Sequence, residues 1–198
     1  MTNLNSSFLE LCNEALDLVS AQPLQSLEDN SPQARLIARL APQTLTRLLR
    51  LYPWNCAQTW AQLQALEGQS LPSIEGRLFL LPQDCLRVIS ANAANWQRAH
   101  LPLEQGWTQV LIADGGAQCK IHYIRAISQA SQLDPLLAQA FSLQLAAALS
   151  ASLIESNTRM QSFYDRAEQA LAQAKQADSS ERSRITTTQS WLSVRKAG

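Results

Sequence analysis

Side chains that could carry acid–base or nucleophilic chemistry are few and scattered in this sequence. His100 and His122 stand alone, and the four cysteines form no Cys-x-x-Cys pair of the kind that binds zinc. Cys119 lies three residues before His122. An odd separation places two side chains on opposite faces of a strand, so we do not expect a Cys–His catalytic pair.

Paired carboxylates are the second candidate chemistry. A glycoside hydrolase needs two of them, about 5–10 Å apart across a cleft. The candidates are Asp84 and Asp114, with Glu104 a poorer third. The motifs of serine hydrolases, P-loop NTPases, zinc proteases and dinucleotide-binding enzymes are absent from the sequence. We therefore predict a protein that is not an enzyme, with no catalytic residue, cofactor or metal.

The Asp114-Gly115-Gly116 run could be mistaken for a phosphate-binding loop. No helix pattern and no suitably placed Lys follow it. Asp-Gly tolerates the positive φ angles of a tight turn. The run therefore predicts a hairpin between strands at residues 107–113 and 118–124.

The cysteines are widely spread, and their spacing fits neither a disulfide framework nor a metal site. We predict four buried thiols in a reducing compartment: Cys12, Cys56, Cys85 and Cys119.

Capping residues and apolar spacing predict helices at both ends of the chain. Ser7 with Glu10 forms a capping box, and Ser31-Pro32 supplies a cap and a first-turn proline. The second helix continues through Pro42 with a kink, because the apolar period stays in phase, and it ends before Pro53. Asp134-Pro135 begins a third helix, and the fourth covers residues 158–177.

Glycine and proline punctuate the middle of the chain, which predicts strands, including residues 77–80 and 86–90. Trp54, next to Pro53, is expected to anchor the junction of helix and sheet as a core side chain. Pro53, Trp54, Asp134 and Pro135 are therefore predicted to be structural residues. The predicted fold class is α+β: a mainly helical, four-helix-bundle-like domain (residues 1–53 and 128–178) with an inserted small antiparallel β domain (54–127) and an extended C-terminal arm (179–198).

Composition narrows the classes of function. The 198 residues carry 16 Lys and Arg against 16 Asp and Glu, which argues against a nucleic-acid coat protein. Only 16% of residues are charged, as in surfaces that meet other subunits. No run of about 18 apolar residues and no signal-peptide pattern is present, so we expect neither membrane insertion nor secretion.

The C-terminal segment from Ser179 is rich in Ser and Thr and has no helical period. It cannot bury enough apolar surface to fold alone, so Trp191 is expected to be buried by a partner. The alternation of side chains at residues 191–194 would suit an arm that adds a strand to the edge of a sheet in the partner. We predict that this arm binds the partner through Arg182, Arg184, Ile185, Trp191, Leu192, Val194, Arg195 and Lys196.

An ordered set of segments resembles the tail tubular protein A family, the head-to-tail adaptors of short-tailed bacteriophages. The segments are Asn13–Val19, Leu24–Asp29, Tyr52–Ala57, Leu81–Val88, Tyr123–Arg125, Leu133–Leu136 and Tyr164–Asp178. The chain departs from the family pattern at Cys56, where an aromatic is usual, at Pro42 and in the predicted hairpin turn.

The resemblance implies a virion protein, assembled in the host cytoplasm, that forms a ring of about twelve copies below the portal. A tail nozzle or tube would bind the opposite face, and DNA would pass through as cargo. On this basis the portal is the expected partner of the C-terminal arm. The tail partner is expected at Trp107, Asp114, Gly115 and Gly116.

Two other functions remain open from the sequence: a tail-associated glycan or cell-wall hydrolase, and a host helical interaction protein. The sequence has no sustained heptad that would hold an obligate oligomer, so we expect the free protein to be mainly monomeric.

Overall fold

The chain folds into four helices and six strands, in a computed structural model that describes residues 8–66, 76–103, 106–153 and 156–181. Two helices come first, α1 (Phe8–Leu18) and α2 (Pro32–Leu51). The strands are β1 (Gln58–Gln64), β2 (Arg77–Leu80), β3 (Cys85–Ala91), β4 (Trp96–Leu103), β5 (Gly106–Ala113) and β6 (Gln118–Arg125). Two helices follow, α3 (Pro135–Leu153) and α4 (Asn157–Ser180).

The strands form two antiparallel three-stranded sheets. Sheet A has the order β1-β6-β3, and sheet B has the order β2-β5-β4. Apolar side chains of both sheets share one core, which includes Phe79 and Leu111 from sheet B and Ile121 and Tyr123 from sheet A. Alternation along each strand therefore turns one face of each sheet toward the other sheet.

The predicted hairpin at Asp114-Gly115-Gly116 is wrong. Strands occupy both predicted segments, but β5 pairs with β2 and β4, whereas β6 pairs with β1 and β3. The Asp114 N–H donates to the Asn95 carbonyl at 3.1 Å, which ties the turn to the start of β4. The turn therefore carries the chain from one sheet to the other.

Helix α3 is the centre of the helical part. Its buried residues lie all around its axis, and α1, α2 and α4 each pack mainly on α3. The helical core also takes in Trp54, Ala57, Ile124 and Ile127 from the strand region and its flanks. An apolar helix with no polar face is stable when neighbours surround it.

The prediction of a four-helix-bundle-like domain with one inserted β domain is therefore wrong. The order is two helices, two sheets and two helices, and the helices do not form a separate bundle at the chain ends. In a four-helix bundle each helix packs on two neighbours around a common seam. Here three helices surround a fourth, and sheet A contributes to the same core.

Helix α3, with 19 residues, also has the length and mean hydropathy of a membrane span. Within the apolar stretch of this helix, 56% is buried inside the protein. A buried core helix passes the same test of length and composition.

The cap of α3 is the one that the sequence predicts, whereas the cap of α4 is not among the predicted caps. The Asp134 carboxylate accepts hydrogen bonds from the N–H groups of Leu136 (2.9 Å) and Leu137 (3.2 Å) at the start of α3. At the other end of the chain, α4 begins after Ser156, whose hydroxyl accepts from the Arg159 N–H.

We expect Asp134→Ala to lower the free energy of unfolding by about 1 kcal/mol, because two N–H groups of α3 lose their acceptor. Asp134→Asn should keep most of the stability, since the amide oxygen accepts the same bonds. Urea unfolding followed by circular dichroism measures both. Equal stability of Asp134→Ala and the wild type would show that the cap contributes nothing.

Candidate functional site

The outer part of the β4–β5 hairpin projects beyond the rest of sheet B. Strand β2 pairs with Val110–Ala113 of β5, and the Leu81 N–H reaches the Gln109 carbonyl. Among the residues that the structure describes, the preceding residues 106–108 pair only with β4. At about 3.4 Å per residue, this two-stranded ribbon extends roughly 10 Å. We call residues 101–103 and 106–108 the ribbon tip.

The ribbon tip carries the most exposed large apolar side chain that the structure describes. Trp107 is 76% exposed and lies opposite Pro102 of the edge strand β4. Pro102 has no N–H to offer, which protects that edge from pairing at this point. An exposed indole beside a proline is typical of a protein-binding surface, because Trp is among the residues that contribute most at interfaces.

Arg98 holds the base of the ribbon. Its guanidinium donates to the Leu86 carbonyl at 2.6 Å, to the Cys85 carbonyl at 3.4 Å and to the Gln109 side chain. Arg50 of α2 donates to the same Leu86 carbonyl. These bonds connect sheet B, sheet A and α2, so the ribbon tip extends from a fixed base. The sequence gives no signal that identifies this role of Arg98.

A second exposed aromatic lies on the outer face of sheet A. The Trp60 ring is 71% exposed and stacks on His122, with the ring centroids 4.4 Å apart and the planes at 4°. Cys119 is buried on the opposite face of β6, in the core between the sheets. The structure therefore separates the Cys119 and His122 side chains, as their odd spacing predicts.

The residues predicted to bind the tail partner do not form one patch. Trp107 lies at the start of β5, and Asp114 follows its end. Seven residues of extended chain separate their Cα atoms by roughly 24 Å. Asn95 donates to the Asp114 carboxylate at 2.7 Å, and Gly115 takes a φ of +128° in the turn. Gly116 lies in that turn as well. Only Trp107 thus belongs to the ribbon tip.

The residues predicted to be structural lie at two junctions of the fold. Trp54 is 0% exposed, and its indole N–H donates to the Leu48 carbonyl at 2.8 Å. Pro53 follows the end of α2, and its carbonyl accepts from Gln58 at 2.8 Å. Pro135 is the first residue of α3, directly after the Asp134 cap.

Helix α4 ends at the same junction as Trp54. The Asn55 N–H donates to the Asp178 carboxylate at 2.7 Å, and the Asn55 amide donates to the Asp178 carbonyl at 2.9 Å. The last turn of α4 is therefore fixed beside the start of β1.

The candidate carboxylates have separate partners in different parts of the fold. Asp84 accepts from the Tyr123 hydroxyl at 3.2 Å, whereas Asp114 is bonded to Asn95. Burial, and then the Asp84 carboxylate, raise the pKa of Tyr123 to about 12. Glu104 lies outside the described residues. No cluster of three metal-ligating side chains occurs among the residues that the structure describes.

The cysteines are free thiols, and the prediction that all four are buried is wrong for one of them. Cys12, Cys85 and Cys119 are buried, whereas Cys56 is half-buried in the short turn Asn55–Ala57 before β1. Burial raises the pKa of Cys12 to about 12 and also raises the pKa of the other three thiols. A thiol with a raised pKa is a poor nucleophile at neutral pH, because little of it is thiolate.

The predicted portal-binding residues, 182–196, lie outside the described residues. The first part of the predicted arm is helical, because α4 continues to Ser180 rather than ending at Ala177. Neither a protein-family model nor a curated protein sequence matches this chain.

Proposed function

We propose that this protein is a structural head-to-tail adaptor of a short-tailed phage virion. In this proposal a ring of about twelve copies lies between the portal and the tail nozzle or tube, in the neck of the particle. The ring assembles in the host cytoplasm and surrounds the DNA during ejection. The observation that carries the proposal is the ribbon tip, which presents Trp107 at 76% exposure from a base held by Arg98.

The fold supports a protein with two separate contact regions. The ribbon tip belongs to sheet B, whereas the end of α4 is bonded to Asn55 at the start of sheet A. A partner at the ribbon tip and a partner reached by the chain after α4 would therefore bind different parts of the molecule. We assign the ribbon tip to the tail partner and the C-terminal arm to the portal.

A structural role also agrees with the chemistry of the described side chains. The buried thiols have raised pKa values, and the candidate carboxylates are bonded to separate partners. The large exposed aromatic at the ribbon tip supplies contact area at low entropic cost, which suits a surface that binds another protein. No observation favours the hydrolase or the host interaction protein over this role.

Trp107→Ala is expected to weaken binding of the tail nozzle by about 30-fold or more, as for a central interface tryptophan. Its thermal stability should be unchanged, because the side chain lies outside the core. Trp60→Ala is the matched control: Trp60 is almost equally exposed but lies on sheet A. Biolayer interferometry against the nozzle protein of the same phage measures both variants.

Two results would contradict the assignment of the ribbon tip. One is unchanged nozzle binding by Trp107→Ala. The other is an equal loss in Trp60→Ala, which would indicate a general effect of removing surface tryptophans.

A further inference from the structure

The charges of the first two helices are segregated by sign, although the whole chain is neutral. Helix α2 contains four arginines and no acidic residue, whereas α1 contains three acidic residues and no basic one. We call Arg35, Arg39, Arg47 and Arg50 the arginine stripe. We call Glu10, Glu14 and Asp17 the acidic stripe. All seven side chains are exposed.

The arginine stripe follows one face of α2. Successive members are four, eight and three residues apart. Gln43 occupies the same face of the helix midway between Arg39 and Arg47. Residues three or four apart lie on one face of a helix, so the stripe extends roughly 22 Å along α2. An open groove of about 600 Å³ runs beside its second half, lined by Pro42, Arg47 and Arg50 among others.

The arginine stripe is not neutralised within the described parts of the chain. Arg35 donates to the Asn30 amide oxygen (2.8 Å), and Arg47 donates to the Gln144 amide oxygen (2.7 Å). Arg50 donates to the Leu86 carbonyl. These acceptors are all neutral. A guanidinium has five N–H donors, so each arginine keeps donors for a carboxylate.

The acidic stripe borders a groove between α1, α3 and α4. The groove has a volume of about 460 Å³, and Glu14 and Asp17 line it together with Arg166 of α4. The Glu14 carboxylate accepts from the Ser142 hydroxyl at 2.9 Å, which fixes it at the edge of the groove.

The two stripes lie on nearly opposite sides of α3. Ser142 of α3 contacts Glu14 of α1, whereas Gln144 contacts Arg47 of α2. Two residues along an α-helix turn by about 200°, so Ser142 and Gln144 point in nearly opposite directions. The stripes therefore cannot pair within one molecule. Complementary surfaces on opposite sides of a subunit are what a head-to-tail ring requires.

We propose that the acidic stripe of one copy docks on the arginine stripe of the next copy. This inference rests on the proposed ring and names its lateral contact. The spacing agrees, because Glu14 and Asp17 are three residues apart, as are Arg47 and Arg50. Exposed ion pairs are weak and sensitive to salt. Free copies are therefore monomeric at physiological ionic strength and micromolar concentration, and closure around a portal adds the remaining contacts.

Charge exchange between two variants tests this contact. The first variant, Arg39→Glu with Arg47→Glu, brings the net charge of the arginine stripe to zero, because Arg35 and Arg50 keep their charges. The second, Glu14→Lys with Asp17→Lys, makes the acidic stripe basic. In each variant alone the contact no longer joins stripes of opposite net charge. In an equal mixture the unchanged stripes of the two variants can pair, and the exchanged positions face opposite charges. Arg77→Glu with Lys120→Glu changes the net charge equally at exposed strand positions and serves as the control.

Sedimentation velocity at low ionic strength, about 20 mM salt, and high protein concentration measures the association. We expect the wild type and the control to associate, each charge variant alone to remain monomeric, and the mixture to associate again. Addition of about 0.5 M salt should abolish association in every case. Circular dichroism verifies that each variant is folded; if a variant is unfolded, the single changes Arg39→Glu and Asp17→Lys replace it.

Three results would overturn the proposed contact. They are a wild type that stays monomeric at low salt, a variant that associates alone, and a mixture that stays monomeric while the wild type associates. Duplex DNA is titrated into the wild type in parallel. DNA binding that Arg39→Glu with Arg47→Glu abolishes, without self-association, would assign the arginine stripe to phosphates. None of these results depends on portal or nozzle binding. A failure of the lateral contact would therefore not contradict the adaptor function, which is tested separately.

Discussion

Trp54→Ala is expected to lower the free energy of unfolding by about 3–5 kcal/mol, the range for removing a large buried aromatic. Trp54 is fully buried in the core shared by the helices and sheet A. Its ring packs edge-on against Tyr52, with centroids 4.9 Å apart, and its N–H donates to the Leu48 carbonyl. The substitution leaves a cavity and an unsatisfied carbonyl at the point where α2 meets the strands.

Two further variants separate these causes. Trp54→Phe keeps most of the apolar volume but removes the N–H, so its loss should be smaller than that of Trp54→Ala. Trp60→Ala removes the same kind of side chain from an exposed position and should change stability by less than about 1 kcal/mol. Urea unfolding gives all three values. A loss below about 1 kcal/mol for Trp54→Ala would contradict the central packing role of this residue.

The helix boundaries could be predicted from the sequence because their signals are local. The Ser31-Pro32 pair predicts the start of α2, and the Ser31 hydroxyl accepts from the Ala34 N–H in the structure. Pro53 predicts its end, which lies at Leu51. The Asp134-Pro135 pair marks the start of α3 equally well. In each case a few adjacent residues decide the conformation.

Strand pairing could not be predicted in the same way, because it depends on residues far apart in the sequence. The Asp114-Gly115-Gly116 pattern predicts a turn between two strands that pair with each other. In the structure the two flanking strands, β5 and β6, belong to different sheets. The consecutive strands that do pair are β4 and β5, where Leu103 lies opposite Gly106. Strand β4, which contains Pro102 and the charged Arg98, is not among the strands that the sequence pattern predicts.

Total composition does not reveal how charged and aromatic side chains are distributed over the surface. A net charge of zero suggests a uniform surface, but the basic residues of α2 and the acidic residues of α1 lie on separate faces. A helical plot of either segment reveals its stripe. That the stripes lie on opposite sides of α3 follows only from the bonds of Ser142 and Gln144. The projection of Trp107 likewise depends on which residues β2 leaves unpaired.

Deletion of residues 185–198 is expected to weaken binding to the portal ring by at least about 100-fold. The segment holds the predicted anchors Ile185, Trp191, Leu192 and Val194. In the proposed ring about twelve arms would bind together and multiply a modest single affinity, so their joint removal should have a large effect. Ordering each arm residue costs roughly 1–2 kcal/mol, which the anchors must offset by burial.

The helices and sheets should not need this segment. The buried side chains of the described core lie between Leu11 and Ala174, so the truncated chain should keep its helical signal and melting temperature. Trp191→Ala in the full chain should weaken portal binding in the same direction, and Trp60→Ala should not. A truncated protein that binds portal rings with unchanged affinity would show that the arm assignment is wrong.

The adaptor function itself is tested most directly by measuring the size of the full-length protein with and without portal rings of the same phage. Multi-angle light scattering coupled to gel filtration gives the mass of each species. We predict a monomer of 21.9 kDa when the protein is alone at micromolar concentration, and about twelve copies bound to each portal ring when the two are mixed. A protein that still elutes as a free monomer beside intact portal rings would contradict the proposed function.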